Sequence, residues 1–106
     1  MKTYTLNAWG EQYEITLVKN HYDNNGTLAI HMYTVKNGEI DEPWQNLTVN
    51  LRESEYFGGN AQFVDTNNNG EEIIGWLVAN GIAKETGITA SSGWCEYPLM
   101  VFEDNI

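Results

Sequence analysis

The stretch "DTNNNGEE", which begins at Asp65, has the residue spacing closest to a known kind of binding site. Asp65, Asn67 and Asn69 alternate before Gly70, in the order of the first oxygen ligands and the glycine of a calcium-binding loop. The twelfth residue of such a loop is a bidentate acid, and here it is Trp76, which cannot bind calcium. The pattern also predicts a strand where the loop requires a helix. The sequence therefore predicts no metal site.

A helix cap explains the same residues without a ligand. Asn side chains accept hydrogen bonds from the free N–H groups at the start of a helix, and Gly70 permits a sharp entry. Glu71 and Glu72 would lie in the first turn, where the helix dipole favours negative charge. Together these effects stabilise a helix by about 1 to 3 kcal/mol. We interpret the stretch as a cap.

The sequence predicts no catalytic residue, no cofactor and no enzymatic activity. His21 and His31 match no metal-binding spacing, and His31 is expected to be a partly buried strand residue with its hydrogen bonds satisfied. Cys95 has apolar neighbours and no cysteine partner, which is typical of a small buried residue. Paired acids such as Asp41 and Glu42 could serve glycoside hydrolysis, but a chain of 106 residues leaves little room for a substrate cleft.

The aromatic residues allow two interpretations. Exposed rings would form a platform for a carbohydrate or a peptide, and buried rings would fill the space between a helix and a sheet. Because each ring buries a large area, core packing is the favoured interpretation. The residues concerned are Trp9, Trp44, Trp76, Trp94, Tyr56 and Phe57.

Charge is the most unusual property of the composition. Fifteen acidic and five basic residues give a formal net charge of −10. Residues 1 to 52 have six acids and four bases, a net of −2, whereas residues 53 to 106 have nine acids and one base, a net of −8. Direct binding of nucleic acid needs clustered Lys and Arg and is disfavoured, so a basic protein surface is the expected partner. The alternative is that the charge only keeps the protein in solution.

The elements that would position these residues predict a single domain, residues 1 to 106, of the α+β class. Alternating apolar residues predict several antiparallel strands in the first half, with turns at Gly10-Glu11 and Asn37-Gly38. An apolar stripe around Leu77 predicts one helix of roughly 10 residues. The expected fold is a single antiparallel sheet of about five to six strands with one helix packed on one face.

Three further segments complete this plan. Residues 44 to 51 alternate as one strand, and residues 84 to 93, "KETGITASSG", predict a polar loop. Residues 94 to 102 predict a last strand, in which Pro98 implies an edge position or a bulge. No stretch has the length and apolarity of a signal peptide or a membrane helix, so a cytoplasmic protein without membrane contact is expected.

Several short strings carry a resemblance to a known family. The chain resembles an uncharacterised family of small acidic proteins encoded by phages and conjugative elements of gut and Gram-positive bacteria. The similarity spans nearly the whole chain, and no catalytic residue is carried over from it. The strings are "NNGTLAI" (24 to 30), "LTVNL" (47 to 51), "FVDTNN" (63 to 68) and "YPL" (97 to 99).

The resemblance implies a small acidic, non-catalytic binding protein of a mobile genetic element. Such proteins often inhibit a host defence nuclease system, of anti-CRISPR or anti-restriction type, by occupying a basic nucleic-acid-binding surface such as that of a nucleic-acid-guided nuclease. The alternative is a structural or regulatory interaction module of a conjugation or phage apparatus, with an exposed Trp or Tyr patch. A small enzyme would instead need a pocket around His31 or paired carboxylates. The expected contact residues are Glu53, Glu55, Asp65, Glu71 and Glu72.

Overall fold

A computed structural model describes residues 1–106 and contains eight strands and three short helices. The helices are a 3-10 helix at Arg52–Tyr56, α1 at Thr66–Asn69 and α2 at Ile73–Ala79. The strands are β1 (Tyr4–Ala8), β2 (Glu11–His21), β3 (Leu28–Lys36), β4 (Glu39–Asn46), β5 (Thr48–Val49), β6 (Ala61–Val64), β7 (Ala83–Ser92) and β8 (Cys95–Phe102). They form two antiparallel sheets, with the orders β1-β2-β3-β4 and β5-β6-β8-β7.

The predicted α+β fold, with a single antiparallel sheet of five to six strands and one helix on one face, is wrong. The protein is mostly β, its strands divide equally between two sheets, and its longer α-helix has seven residues. Two features of the chain caused the error. The chain passes between sheets inside an alternating run of residues, and a polar segment forms a strand.

The chain passes from the first sheet to the second at Leu47. β4 ends at Asn46 and β5 begins at Thr48, so the strand predicted over residues 44 to 51 is in fact two strands. The Leu47 N–H donates to the carbonyl of Ile30 at 2.9 Å, and the Leu47 carbonyl accepts from the N–H of Asp65 at 2.9 Å. A chain that switches sheets in this way keeps the alternation of one strand, so the sequence pattern does not reveal the break.

β7 replaces the polar loop that was predicted at residues 84 to 93. Its side chains are mostly exposed, but its backbone pairs with β8 at the edge of the second sheet. An edge strand is held by backbone hydrogen bonds on one side and needs no alternating apolar face. The pairing is irregular between Glu85 and Thr89, where Thr89 lies opposite Pro98, so the predicted irregularity at this proline is present although β8 is an inner strand.

Two-residue turns join β1 to β2 and β3 to β4 in the first sheet. Asn37 and Gly38 both have positive φ, 56° and 78°, as a type I′ hairpin turn requires, and this predicted turn is confirmed. The β1–β2 turn lies at Trp9 and Gly10, with φ of 50° and 75°, one residue earlier than predicted. The twist of such turns matches the twist of the strands that they join. Residues 22–27 connect β2 to β3, and β1 to β4 lie side by side as a meander.

The main core lies where the inner face of the first sheet meets α2 and the second sheet. The inner face is the one that includes Ile30 and Met32 of β3, and it packs with Leu77 of α2 and Phe102 of β8. The second sheet also carries a smaller apolar cluster on its other face, formed by Leu51, Phe63, Tyr97 and Leu99. Both faces of the second sheet are therefore partly covered.

Gln62 connects the two sheets through buried hydrogen bonds. Its side-chain N–H donates to the carbonyl of Leu28 at 2.8 Å and to the hydroxyl of Thr27 at 3.1 Å. Its side-chain oxygen accepts from the Ser54 hydroxyl at 2.7 Å, and the residue is fully buried. Removing such a partner leaves buried polar groups without hydrogen bonds, and each such group lowers the stability of the fold by about 1–3 kcal/mol. The network therefore fixes β6 against the start of β3.

Candidate functional site

The predicted cap is wrong in its residues, although the stretch does contain a helix cap, which Asp65 makes at the start of α1. Glu71 and Glu72 do not lie in the first turn of α2, and α2 has no side-chain cap. The Asp65 carboxylate accepts from the backbone N–H of Asn68 at 3.1 Å and from its side-chain N–H at 2.8 Å. Gly70, with φ of 82°, ends α1, so the single predicted helix is two short ones. Trp76, at the twelfth position of the rejected calcium loop, donates its indole N–H to the Thr5 carbonyl at 2.8 Å. The cap belongs to Asp65 and not to the asparagines that were expected to accept.

An open cleft of about 410 Å³ lies between the end of the first sheet that carries the β1–β2 turn and the segment that contains α1 and the start of α2. We define the cleft by Trp9 and Trp44 on the sheet side and by Asn68, Asn69 and Glu72 on the wall. Its volume is within the range of roughly 300–1,000 Å³ that is usual for small-molecule sites. The expectation that a chain of this length leaves little room for a cleft gave no indication of this one.

Three aromatic rings form a cluster at the sheet side of the cleft. The ring centroids of Tyr13 and Trp44 are 4.8 Å apart, and those of Trp9 and Trp44 are 5.4 Å apart. Trp9 meets Tyr13 edge to face at 6.4 Å. These separations are those of favourable aromatic pairs. Tyr13 and Trp44 also pack against the main core, so they connect the exposed Trp9 ring to it.

A β-bulge brings Trp44 to this cluster. Pro43 and Gln45 lie opposite Tyr33 and Met32, which are neighbours in β3, so Trp44 is the extra residue between them. Pro43 is tolerated inside β4 because this strand is an edge strand and its missing N–H disrupts no inner ladder. Trp44 is half-buried, whereas the other residues of β4 are exposed.

The preference for aromatic core packing is wrong for the two turn tryptophans. Trp9 is 83% exposed, and Trp94, in the β7–β8 turn, is fully exposed. Trp44 and Trp76 are half-buried against the main core. Tyr56 and Phe57, next to the 3-10 helix, are also exposed.

Tyr13 is held by a hydrogen bond to an anion at the edge of the cluster. Its hydroxyl donates to the Glu11 carboxylate at 2.9 Å. This hydrogen bond, followed by burial and by the charge of Glu11, raises the pKa of Tyr13 above its usual value of 10.0. Tyr13 therefore remains protonated and supports the two tryptophan rings.

The wall of the cleft offers hydrogen-bond acceptors. The side-chain nitrogen of Asn69 donates to the carbonyls of Asn46 and Asp65, both at 2.9 Å. The side-chain nitrogen of Asn68 donates to the Asp65 carboxylate at 2.8 Å. Because these partners can only accept, the two nitrogens are fixed in place, and each Oδ1 is left without an internal donor.

Glu72 is the one charged residue that lines the cleft. Its carboxylate forms no ion pair and lies over the backbone of Gly70, with one oxygen 2.7 Å from the position that a Cβ of residue 70 would take. No Lys, Arg or His contributes to the lining. The cleft thus combines one negative charge with free acceptors and exposed aromatic rings.

The predicted contact residues are distributed over several elements. Glu53 and Glu55 belong to the 3-10 helix, and Glu71 and Glu72 connect α1 with α2. Of the five predicted residues, Glu72 alone lines the cleft. Asp65 is only 7% exposed, and its carboxylate is occupied by the cap. Asp65 is therefore not available to a partner.

An acidic edge strand escaped the sequence reasoning. Glu39, Asp41 and Glu42 are exposed on β4, at one edge of the first sheet. These residues belong to the half of the chain with the smaller net charge, so counting charge along the sequence gave them no weight. The run "EIDE" at residues 39 to 42 was the signal that could have indicated them.

The remaining candidates have structural surroundings. His31 is half-buried and bonded to Asn46 across the β3–β4 ladder, as predicted. Cys95 is also half-buried, and its hydrogen bond to Tyr97, followed by burial, raises the pKa of that tyrosine. No group of three or more His, Cys, Asp or Glu side chains lies close enough to share a metal ion. None of the helices is long and apolar enough to cross a membrane.

These features define a small, mostly β protein of two antiparallel sheets with an acidic, aromatic-lined cleft. Residues 16–105 match the model of the family described as domain of unknown function (DUF4313), and the chain belongs to this family. Comparison with curated proteins and with solved structures gave no match. Trp44 and Glu72 lie within the matched residues, and Trp9 precedes them.

Proposed function

We propose that this protein is a non-catalytic binding protein that uses its acidic surface to occupy a basic protein surface. In the fuller form of the proposal, the protein belongs to a phage or conjugative element. It then inhibits a host defence nuclease, of anti-CRISPR or anti-restriction type, by covering the surface that binds nucleic acid. A fixed array of carboxylates attracts and orients a basic partner, and it also competes with phosphate groups for the same Lys and Arg side chains.

The lack of internal ion pairing supports this proposal most directly. Of the fifteen acidic side chains, one is within ion-pair distance of a base, at 3.8 Å between Lys84 and Glu103. That pair is itself exposed. The remaining carboxylates therefore keep their charge uncompensated by the protein, and a basic partner would provide the compensation.

The proposed contact surface differs from the set of residues expected from the sequence. Asp65 is left out because the cap occupies it, and the exposed acids of β4 are added. Glu53 and Glu55 on the 3-10 helix and Glu71 and Glu72 beside the cleft are retained.

A second candidate is an interaction module of a conjugation or phage apparatus that binds through aromatic residues. The exposed side chains of Trp94 and Tyr56 favour it, because large rings without contacts mark interaction surfaces. This candidate predicts that binding is nearly insensitive to salt.

The two candidates are separated by capture from a host lysate that has been treated with nuclease. The acidic-surface proposal expects capture of a nucleic-acid-binding protein that is released by salt and by added duplex DNA or RNA. The triple variant E39Q/D41Q/E42Q should capture less of that protein, while replacement of Trp94 by Asn should have no effect. Capture that resists salt and nucleic-acid competition would overturn the acidic-surface proposal.

A further inference from the structure

Trp9 occupies a backbone position that is unfavourable for its side chain. Both residues of the β1–β2 turn have positive φ, which Gly, Asn and Asp adopt most easily. Because the ring is largely exposed, burial offsets little of this strain. Its aromatic contacts are with Trp44 and Tyr13, at the side of the cleft. A strained and exposed tryptophan at a cleft indicates that the ring serves a ligand.

The opposite wall requires a ligand that donates hydrogen bonds. The side-chain oxygens of Asn68 and Asn69 accept no hydrogen bond within the protein, whereas both N–H groups of the Asn69 amide and one of the Asn68 amide donate internally. Glu72 adds a carboxylate, and the lining contains no cation that could neutralise it. The ligand therefore has to bring several N–H donors, a positive charge and a flat surface for the indole rings.

We propose that the cleft binds the guanidinium group of an arginine side chain of the basic partner. A guanidinium is planar, is always charged, and has five N–H donors and no acceptor. It would stack on Trp9 and Trp44 while it donates to Glu72 and to the asparagine oxygens. This inference rests on the proposed function, because it identifies the residue type that anchors the partner.

Other ligand classes match the cleft less well. A lysine ammonium has three donors on a compact charge and lacks the plane that stacks on an indole. A sugar also stacks on tryptophan, but its hydroxyl oxygens need donors, and both N–H groups of the Asn69 amide and one of the Asn68 amide are already in use. A sugar would also leave the charge of Glu72 without a partner. The fit is therefore specific for a donor-only, planar cation.

NMR titration of the whole protein with small probes tests this assignment. The probes are N-acetyl-arginine amide, N-acetyl-lysine amide and the neutral disaccharide maltose, and the signals are the indole N–H resonances of the four tryptophans. The arginine probe should shift the Trp9 and Trp44 resonances saturably and leave that of Trp94 in place. The lysine probe should bind at least roughly threefold more weakly than the arginine probe, because an ammonium group does not stack on the indole rings.

Two matched pairs of variants assign the effect to the cleft. E72Q should weaken binding of the arginine probe roughly threefold or more, whereas E85Q, which changes an exposed acid of β7 outside the cleft and the contact surface, should leave it unchanged. Trp9→Asn should abolish stacking while it retains a residue that accepts positive φ, and Trp94→Asn removes the other turn tryptophan as the control. Retained dispersion of the amide spectrum verifies that each variant is folded.

The outcomes separate the cleft from the acidic surface as a whole. Equal binding of the arginine and lysine probes, or equal effects of E85Q and E72Q, would overturn the arginine site and leave the proposed function intact, because attraction would then be diffuse. Binding of maltose without binding of the arginine probe would also overturn it and would identify a sugar site. Salt-resistant capture in the lysate experiment would instead reject the proposed function.

Discussion

At the scale of single residues, the Glu11–Tyr13 hydrogen bond makes the support of the aromatic cluster sensitive to pH. The folded protein holds the proton of Tyr13 more tightly than the unfolded chain does, since the pKa is raised above 10.0. The stabilisation from this bond is therefore fully present below pH 10 and is lost as the pH rises through the raised pKa. Alkaline solution should loosen the cluster.

Glu11→Ala should lower the pKa of Tyr13 toward its ordinary value, because the hydrogen bond and the negative charge are both removed. NMR titration of tyrosine labelled with ¹³C at the hydroxyl-bearing carbon separates Tyr13 from the other tyrosines. Glu14→Ala is the control, since Glu14 accepts from Thr5 and is likewise exposed. An unchanged Tyr13 pKa in the Glu11 variant would contradict the assigned cause.

At the scale of elements, Gly70 permits the close approach of α1 and α2 that forms the wall of the cleft. Its φ of 82° belongs to the left-handed region, and a Cβ there would meet the Glu72 carboxylate. Gly75, inside α2, has open space at the same position and no unusual φ. The two glycines thus differ in what an added methyl group would do.

Gly70→Ala should lower the free energy of unfolding by about 1–2 kcal/mol, because the alanine adopts a strained backbone and displaces Glu72. Gly75→Ala should raise it by about 0.5–1 kcal/mol, because alanine favours the helix. Urea denaturation of both variants measures the difference. Equal stability of the two variants would show that the α1–α2 junction adjusts without strain.

At the scale of the whole molecule, uncompensated charge should weaken the fold at low ionic strength. A net charge of −10 is carried by a body of 39 × 26 × 22 Å that contains one ion pair within 4.0 Å. At about 0.01 M salt the screening length is about 30 Å, and at about 0.15 M it is about 8 Å. Most carboxylates therefore repel one another across the molecule only in dilute salt.

Adding salt over this range should stabilise the protein by roughly 0.5–1 kcal/mol, because screening relieves the self-repulsion. Thermal unfolding at several concentrations of sodium chloride measures the change. The variant E39Q/E42Q should respond less than the original protein, since it carries two fewer charges. A loss of stability on adding salt would mean that attractive ion pairs dominate.

Local signals in the sequence predicted several elements correctly. The Asn37-Gly38 turn, the strands of the first sheet before it and the cap character of the stretch at Asp65 depend on residues close in the chain. The capping residue was misassigned, because Asp and Asn are about equally favourable at the N-cap of a helix. The contact role expected of Glu72 was argued from its charge alone, so its position at a cleft could not be foreseen.

Sequence alone determined the net negative charge and the Asn37-Gly38 turn, since each follows from residue types and short spacings. Tertiary structure decided where the chain changes sheets at Leu47 and that a polar segment forms the edge strand β7. It also decided that Trp9, Trp44 and Glu72 share one cleft. These outcomes depend on backbone pairing and on contacts between residues far apart in the chain, and no periodicity of side chains encodes them.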